Sequence, residues 1–377
     1  EFLNQKPLPY SFKMITQSHH AESFRLVPAT STPVSPEKVA SLLASEWELF
    51  TKNTKGSLAE SARSMKSLPL GVTSSFQHWD PYPISIVSAQ GAWMTDVDGR
   101  QLLDLSMGFG AMLAGHLNPV VVEEVKASLD TGMLFVTPSP ISTDAAERIC
   151  RRFGIDQVRF TNSGTESTMY AVRVARSATG KHDIVKVEGG YHGSHDSVLF
   201  SNKPALAKAG PADAPTPVIP NASVAGEVYV VPFNDADALE NLFEEHSKTI
   251  ACFIVEPVLE NIGIVLPDEG YLEAVRDLCD KYKVVLIFDE VKTGLTAGPQ
   301  GAAQRLGVIP DLICLAKYDN NTFFSSSFIT LLIASANLVN LSTNRISLFL
   351  ISSIVGNSLL TISLLSFFVA NKASIIS

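Results

Sequence analysis

Three short stretches of the chain carry residue types that could do chemistry. The first is Asn162-Ser163-Gly164-Thr165-Glu166-Ser167, between the run Val158-Arg159-Phe160 and a helical pattern that begins near Thr165. A small Ser-Gly-Thr turn at the positive end of a helix offers backbone N–H groups and two hydroxyls to a phosphate. The same stretch also reads as an ordinary helix start with a capping-box pattern. The second is Asp289, at the carboxyl end of the apolar run Val284-Val285-Leu286-Ile287-Phe288. Ligands of open α/β sheets bind at that edge. A carboxylate there needs a cation, either a salt-bridge partner or a charged group on a ligand. The third is Lys317, which ends the run Leu312-Ile313-Cys314-Leu315-Ala316. Desolvation lowers the pKa of such a lysine and makes its amine a nucleophile, although a side chain that snorkels to water leaves the same pattern. His192, His195 and Asp196 lie close in sequence, but no third cluster follows them, and no metal is expected. Gly108-Phe109-Gly110 lacks the spacing and the strand-to-helix setting of a dinucleotide loop.

The elements that must position these residues alternate. Ser35-Pro36 starts a helical pattern that runs to 54. Residues 84–105 read as a hairpin around Asp98-Gly99. A helix follows over 120–130. Residues 157–180 read as strand, polar turn and helix, stopped by Gly180. Short apolar strands fall at 182–189, 226–233 and 249–257, a helix at 271–283, and strands at 284–291 and 311–317. Continuous apolar strands alternating with helices predict an α/β fold with a mostly parallel, buried central sheet flanked by helices.

The chain has 377 residues and a formal net charge of -9. It has no basic stripe, so nucleic acid is not an expected partner. Cys150, Cys252, Cys279 and Cys314 are widely spaced and form no C-x-x-C pair, which suggests reduced core thiols in a cytoplasmic protein. The first residues lack the apolar core of a signal peptide; residues 1–13 read as upstream sequence, with Met14 as a candidate start. Composition breaks after Lys317. Residues 318–377 contain one glycine, no proline and three charged side chains, Asp319, Arg345 and Lys372. Within them, 346–370 is an uncharged segment long enough to cross a bilayer. Three readings of this tail stand: a membrane anchor, a buried extension, or non-homologous sequence left by a frameshift, retained intron or fusion.

Taken together, the turn, the aromatic Tyr191-His192 stretch, the strand-end aspartate and the strand-end lysine are the parts needed to hold pyridoxal 5'-phosphate. In GAWMTDVDGRQLLDL, AGHLNP, VRFTNSGTESTMYAVRVAR, VKVEGGYHGSHD, FIVEPVLENIG, YLEAVRDLCDKYKVVLIFDEVKTG and PDLICLAK the sequence resembles the class III, fold type I pyridoxal-phosphate-dependent aminotransferases. Within them it is most similar to the glutamate-1-semialdehyde 2,1-aminomutase branch. The resemblance covers roughly residues 68–317 and stops at Lys317. It implies that Ser163, Gly164 and Thr165 bind the cofactor phosphate. Tyr191 would stack on the ring, with His192 beside it, and Val291 would pack on the opposite face. Asn261 would bond the ring's 3'-oxygen, a feature that leans toward the aminomutase branch. Asp289 would keep the ring nitrogen protonated. Lys317 would form the Schiff base and move the proton. On the substrate side it implies Phe109 and the segment holding Ser74 and Gln77, where Gln77 stands at the place of the aminomutase's carboxylate-binding arginine.

The resemblance further implies a small amine or amino acid as substrate and a homodimer. It divides the chain into an upstream segment (1–13), an N-terminal segment with part of a small domain (14–115), an incomplete large cofactor-binding domain (116–317) and an unrelated apolar tail (318–377). The C-terminal part of the family fold is expected to be missing or replaced. The first functional expectation is therefore an aminotransferase or aminomutase. The alternatives are an inactive, truncated relative and a protein tethered to a membrane through 346–370.

Overall fold

The structure is a computed structural model that describes residues 35–132, 135–202, 215, 226–317 and 330–334. The chain divides into two units, 1–85 and 86–377.

In the first unit, α1 (Pro36–Asn53) starts as its sequence predicts: Pro36 occupies the first turn and Ser35 Oγ accepts from Lys38 N. α2 (Lys55–Ser64) follows at once. The junction is held by Thr54, fully buried, whose hydroxyl donates to Phe50 O at 2.6 Å and lies 2.9 Å from the Tyr82 hydroxyl. Two 3-10 turns, Pro69–Gly71 and Ser75–Gln77, complete this unit.

The second unit opens with an antiparallel meander of β1 (Ile86–Gln90), β2 (Trp93–Asp96) and β3 (Gln101–Leu103). The single hairpin expected from Asp98-Gly99 is thus three strands. Gly91, at φ 56°, supplies the second reversal. At the other turn the Asp96 carboxylate accepts from Asp98 N and from Arg100 N and Nε. A short turn of helix, α3 (Met107–Gly110), precedes α4 (Pro119–Leu129) and α5 (Pro140–Phe153).

The main sheet then assembles. Its elements in chain order are β4 (Gln157–Thr161), α6 (Gly164–Thr179), β5 (Asp183–Val187), β6 (Val228–Val231), α7 (Ala236–His246), β7 (Ile250–Val255), α8 (Tyr271–Tyr282), β8 (Val285–Glu290), α9 (Thr293–Thr296), α10 (Gly301–Leu306), β9 (Leu312–Leu315) and β10 (Thr330–Ala334). The spatial order is β4-β10-β9-β8-β7-β5-β6. β6, β5, β7, β8 and β9 are parallel, and β10 lies antiparallel between β9 and β4. This is the mostly parallel α/β sheet that the apolar runs predict. β5, β7 and β8 are buried at every position because both faces are covered. Alternate residues feed two cores: Phe253 and Phe288 pack with α7 and α8 on one face, Cys252, Ile254 and Ile287 with α6 on the other. Cys252, Cys279 and Cys314 are buried free thiols, as expected.

The sequence reading ends the enzyme-like sheet at Lys317, and the structure carries one strand more. β10 pairs Leu331 with Leu315 and Phe160, which joins β4 to the rest of the sheet. The segment 346–370 and the proposed upstream residues 1–13 lie outside the described residues. Among the described residues, no helix is long and apolar enough to cross a membrane.

Phe253 is fully buried at the centre of the larger core. Phe253→Ala should cost about 3–5 kcal/mol of stability, read as a lower midpoint in denaturant unfolding.

Candidate active site

The candidate residues gather at the carboxyl edge of the main sheet. β4 ends at Thr161, and Ser163 caps α6: its Oγ accepts from Glu166 N at 3.1 Å. Glu166 Oε2 in turn accepts from Asn162 N at 2.7 Å and from Asn162 Nδ2 at 3.0 Å. Half of the capping box read from the sequence is formed: Ser163 caps Glu166 N, while Glu166 reaches back one residue further, to Asn162 rather than to the N-cap amide. It leaves the anion reading intact, because the amides of Gly164 and Thr165 belong to the first turn and have no acceptor within their own helix. A Cβ on Gly164 would stand 3.2 Å from both γ-carbons of Val291 and 3.9 Å from the Ala316 Cβ. The turn after β4, the residue after β8 and the neighbour of Lys317 thus meet at one point.

Asp289 is almost fully buried in β8, and its sequence called for a cationic or hydrogen-bonding partner. That partner is His192, itself buried, with Nδ1 2.8 Å from Asp289 Oδ2. Asp289 Oδ1 accepts from Val291 N at 3.1 Å. The other ring nitrogen of His192, Nε2, is buried without a hydrogen-bond partner. His195 goes elsewhere, its Nε2 3.3 Å from Thr168 Oγ1, and burial lowers its pKa to about 4. Among the described residues, no three His, Cys, Asp or Glu side chains gather as metal ligands would.

The loop that carries Tyr191 and His192 is fastened from below. Tyr191 N donates to Glu256 Oε1 at 3.0 Å, and Glu260 N donates to Glu256 Oε2 at 3.2 Å. Burial raises the pKa of the Glu256 carboxyl and of the Tyr191 phenol. Asn261 reaches the same loop: its Nδ2 donates to Gly189 O at 2.8 Å and to Asn202 O at 3.1 Å. Both amide protons serve the backbone, so Oδ1 is the atom of Asn261 left to meet a ligand.

Lys317 follows β9 with φ 59°, a left-handed conformation that an L-residue rarely adopts. Its amine lies 5.8 Å from the centroid of the Phe109 ring, so the structure brings together these two predicted residues, 208 positions apart (317 minus 109). Burial lowers the pKa of this amine and the charge of Lys292 lowers it further, while Asp289 and Glu260 pull the other way. Ser74 and Gln77 belong to the first unit, where Gln77 Oε1 accepts from Thr73 Oγ1 at 2.7 Å and from Ser74 N at 3.3 Å.

Sequence reasoning passed over Glu256, Lys292 and a third buried acid, Glu290. Glu290 accepts from Ala302 N, Ala303 N and Thr293 Oγ1 and so caps α10. Glu256 carried a usable signal, since it ends an apolar run as Asp289 does.

The loop also depends on Gly193, at φ 101°, where an added Cβ would stand 2.7 Å from Thr165 Cα. Gly193→Ala must push the loop away from the start of α6. The strain should cost about 1–3 kcal/mol, read as a lower thermal midpoint with faster amide exchange over 189–196.

Comparison with known proteins gives the family. The family model for aminotransferase class-III matches residues 75–336. The chain is 45% identical over 251 residues to the glutamate-1-semialdehyde 2,1-aminomutase of Methanocorpusculum labreanum, covering 66% of this chain and 60% of that protein. It is 43% identical over 242 residues to the enzyme of the same name from Ignicoccus hospitalis, covering 63% of this chain and 56% of the relative. The chain therefore spans less than two thirds of the length of these relatives. Among solved structures it resembles a glutamate-1-semialdehyde aminomutase from Pseudomonas aeruginosa, with TM-score 0.73, 26% identity and coverage of 85% of this chain and 70% of that one. It also resembles an omega-transaminase from Sphaerobacter thermophilus, with TM-score 0.70, 33% identity and coverage of 75% and 64%. By sequence and by fold, this chain belongs to the class III aminotransferase family of pyridoxal-phosphate-dependent enzymes.

Proposed function

We propose that the chain carries the cofactor site of a pyridoxal-phosphate-dependent aminotransferase or aminomutase, with Lys317 Nζ as its reactive amine. The observation that carries this reading is the convergence of three unlike groups at one sheet edge. They are the N-terminus of α6, the buried Asp289–His192 pair and a half-buried lysine amine of lowered pKa.

The residues present fit the cofactor by their chemistry. The amides of Gly164 and Thr165 and the hydroxyls of Ser163 and Thr165 would hold its phosphate. Asp289 would hold a proton on the ring nitrogen, and His192 Nδ1 keeps that carboxylate oriented. Tyr191 and Val291 would flank the ring, and Asn261 would lie beside its 3'-oxygen. Once bound, pyridoxal phosphate serves as an electron sink for a carbanion on the substrate. Lys317 Nζ would attach to the cofactor's aldehyde carbon with loss of water; displaced from it by the substrate amine, the freed amine would accept a proton from the substrate carbon and return it. Its lowered pKa favours both roles, since a neutral amine is nucleophile and base while an ammonium is neither.

The substrate is a small amine or amino acid. Gln77 supports one other than glutamate-1-semialdehyde, because a neutral amide lacks the paired charged donors with which arginine grips a carboxylate. Exposed apolar residues in the second unit, Leu105, Leu113 and Leu117, support assembly with a second copy of the chain.

Incubating the purified chain with pyridoxal phosphate, reducing with borohydride and mapping the peptides tests the reading. The expected result is a pyridoxyl group on Lys317 that Lys317→Ala abolishes. Labelling scattered over surface lysines overturns the assignment and favours an inactive relative. The pH dependence carries a sign. Lys317 labelling should fall as pH drops, with a midpoint below that of an ordinary lysine, because the buried amine gives up its proton more readily. Lys292→Met removes a like charge, so the midpoint should move to higher pH. A midpoint that stays put or moves down counts against the coupling.

A further inference from the structure

The side chain of Lys186 is fully buried, and no role is yet assigned to it. It projects from β5 beneath the loop that carries Tyr191 and His192. Its Nζ donates to Gly190 O at 2.8 Å, to Asn202 Oδ1 at 2.8 Å and to Phe200 O. These acceptors lie on both limbs of the loop. Gly190 immediately precedes Tyr191, and Phe200 and Asn202 lie on the returning strand of chain. The three donors of an ammonium match the three acceptors one for one.

Burying an ammonium is costly, and an apolar residue of similar length would fill the same volume without that cost. What the lysine adds is specificity of loop conformation. The surrounding contacts serve the same end. Asn261 Nδ2 bridges Gly189 O and Asn202 O, Gly189 N donates to Ser201 O, and Glu256 receives Tyr191 N. Lys186 is the only cation in this set, and it joins the two limbs from inside. Burial brings its pKa down to about 7, against the upward pull of the Glu188 and Glu256 carboxylates. Its charge is therefore maintained with little margin near neutrality.

We propose that Lys186 is a positioning residue: through Gly190, Phe200 and Asn202 it fixes the loop that sets Tyr191 and His192 against the cofactor ring. This rests on the pyridoxal-phosphate reading above. Lys186 touches no reacting atom in this scheme. It determines the angle at which the Tyr191 ring meets the cofactor and whether His192 reaches Asp289.

The test compares the wild-type chain, Lys186→Met and Asn202→Ala. Each is titrated with pyridoxal phosphate, and the cofactor's visible absorbance and induced circular dichroism are followed, with far-ultraviolet dichroism as the measure of folding. Induced dichroism reports the asymmetric placement of the ring, which a purely structural loss elsewhere would not move. In Lys186→Met we expect about tenfold weaker cofactor binding, the change that ~1.4 kcal/mol gives. We also expect reduced or inverted induced dichroism and faster amide exchange over 189–194. A folded Lys186→Met with wild-type affinity and wild-type induced dichroism overturns the proposal. Should Lys186→Met fail to fold, Asn202→Ala decides, since it removes one of the three acceptors and keeps the lysine. A smaller change of the same kind sustains the proposal, and an unchanged spectrum and affinity overturn it. Failure of the wild-type chain to take cofactor on Lys317 would overturn the prior reading instead, so the two failures are distinguishable.

Discussion

The site is organised by an almost fully buried carboxylate. Asp289 is fixed in β8 between β7 and β9, opposite Cys314 of β9 and beside the buried acid Glu290. A charge in that position must be met by hydrogen bonds or an opposite charge. The strands cannot supply one, because their polar groups are spent on the ladder. The partner therefore comes from a loop, and the loop after β5 brings His192 across to Asp289 Oδ2. That requirement fixes more than one contact. It brings Tyr191 over the same sheet edge, sets Gly193 against Thr165 at the start of α6, and brings Thr168 Oγ1 to His192 O at 2.5 Å. One buried acid thus dictates where a whole loop lies and, through it, where an aromatic ring and a helix N-terminus meet.

The loop in turn needs anchors, and those anchors are also buried charges. Lys186 and Glu256 each lie on or just past a parallel strand and each spend their hydrogen bonds on loop backbone. Neither pairs directly with the other. Lys186 is held by dipoles alone, while Glu256 also stands 3.8 Å from the Lys292 amine. The pattern repeats at Glu290, one residue past Asp289, which faces the opposite side of β8 and caps α10. Adjacent acids on one strand thus serve two faces: Asp289 faces the candidate site, and Glu290 fastens the helix that follows it.

The parts of this arrangement that were legible in the sequence share a feature. Asp289 and Lys317 each end a continuous apolar run, and the turn at 162–167 separates a strand from a helix, so each is conspicuous by position. The mostly parallel sheet was legible for the same reason. The partners of Asn261 and Glu256 were not legible, because they are distant in sequence: Asn261 meets Gly189 across 72 positions and Glu256 meets Tyr191 across 65. Lys186 also looks like a routine polar residue in an alternating strand, and only its zero exposure reveals that it points inward. β10 was illegible for a different reason. Thr330–Ala334 sits in a long stretch of serine, leucine and isoleucine without the glycines or prolines that mark strand ends. α5 was not read as a helix, although it carries signals for one: proline in the first turn after Ser139, and Gly154 at its end with φ 65°.

The charges around Lys317 explain why this lysine differs from the others of the chain. Lys186 is more deeply buried, yet its amine is surrounded by three acceptors and is committed to them. Lys317 is half-buried, and the influences on its amine oppose one another. Burial and Lys292 disfavour its charge, Asp289 and Glu260 favour it. The net effect lowers the pKa of this amine, the direction that the nucleophilic role proposed for it would need. The left-handed backbone at Lys317 adds a geometric term to this balance. A residue in that conformation cannot continue the strand, so the side chain is turned out of the β9 ladder toward Phe109. The backbone at Lys317 thus sets where the side chain goes, while burial and the neighbouring charges set the direction of its pKa.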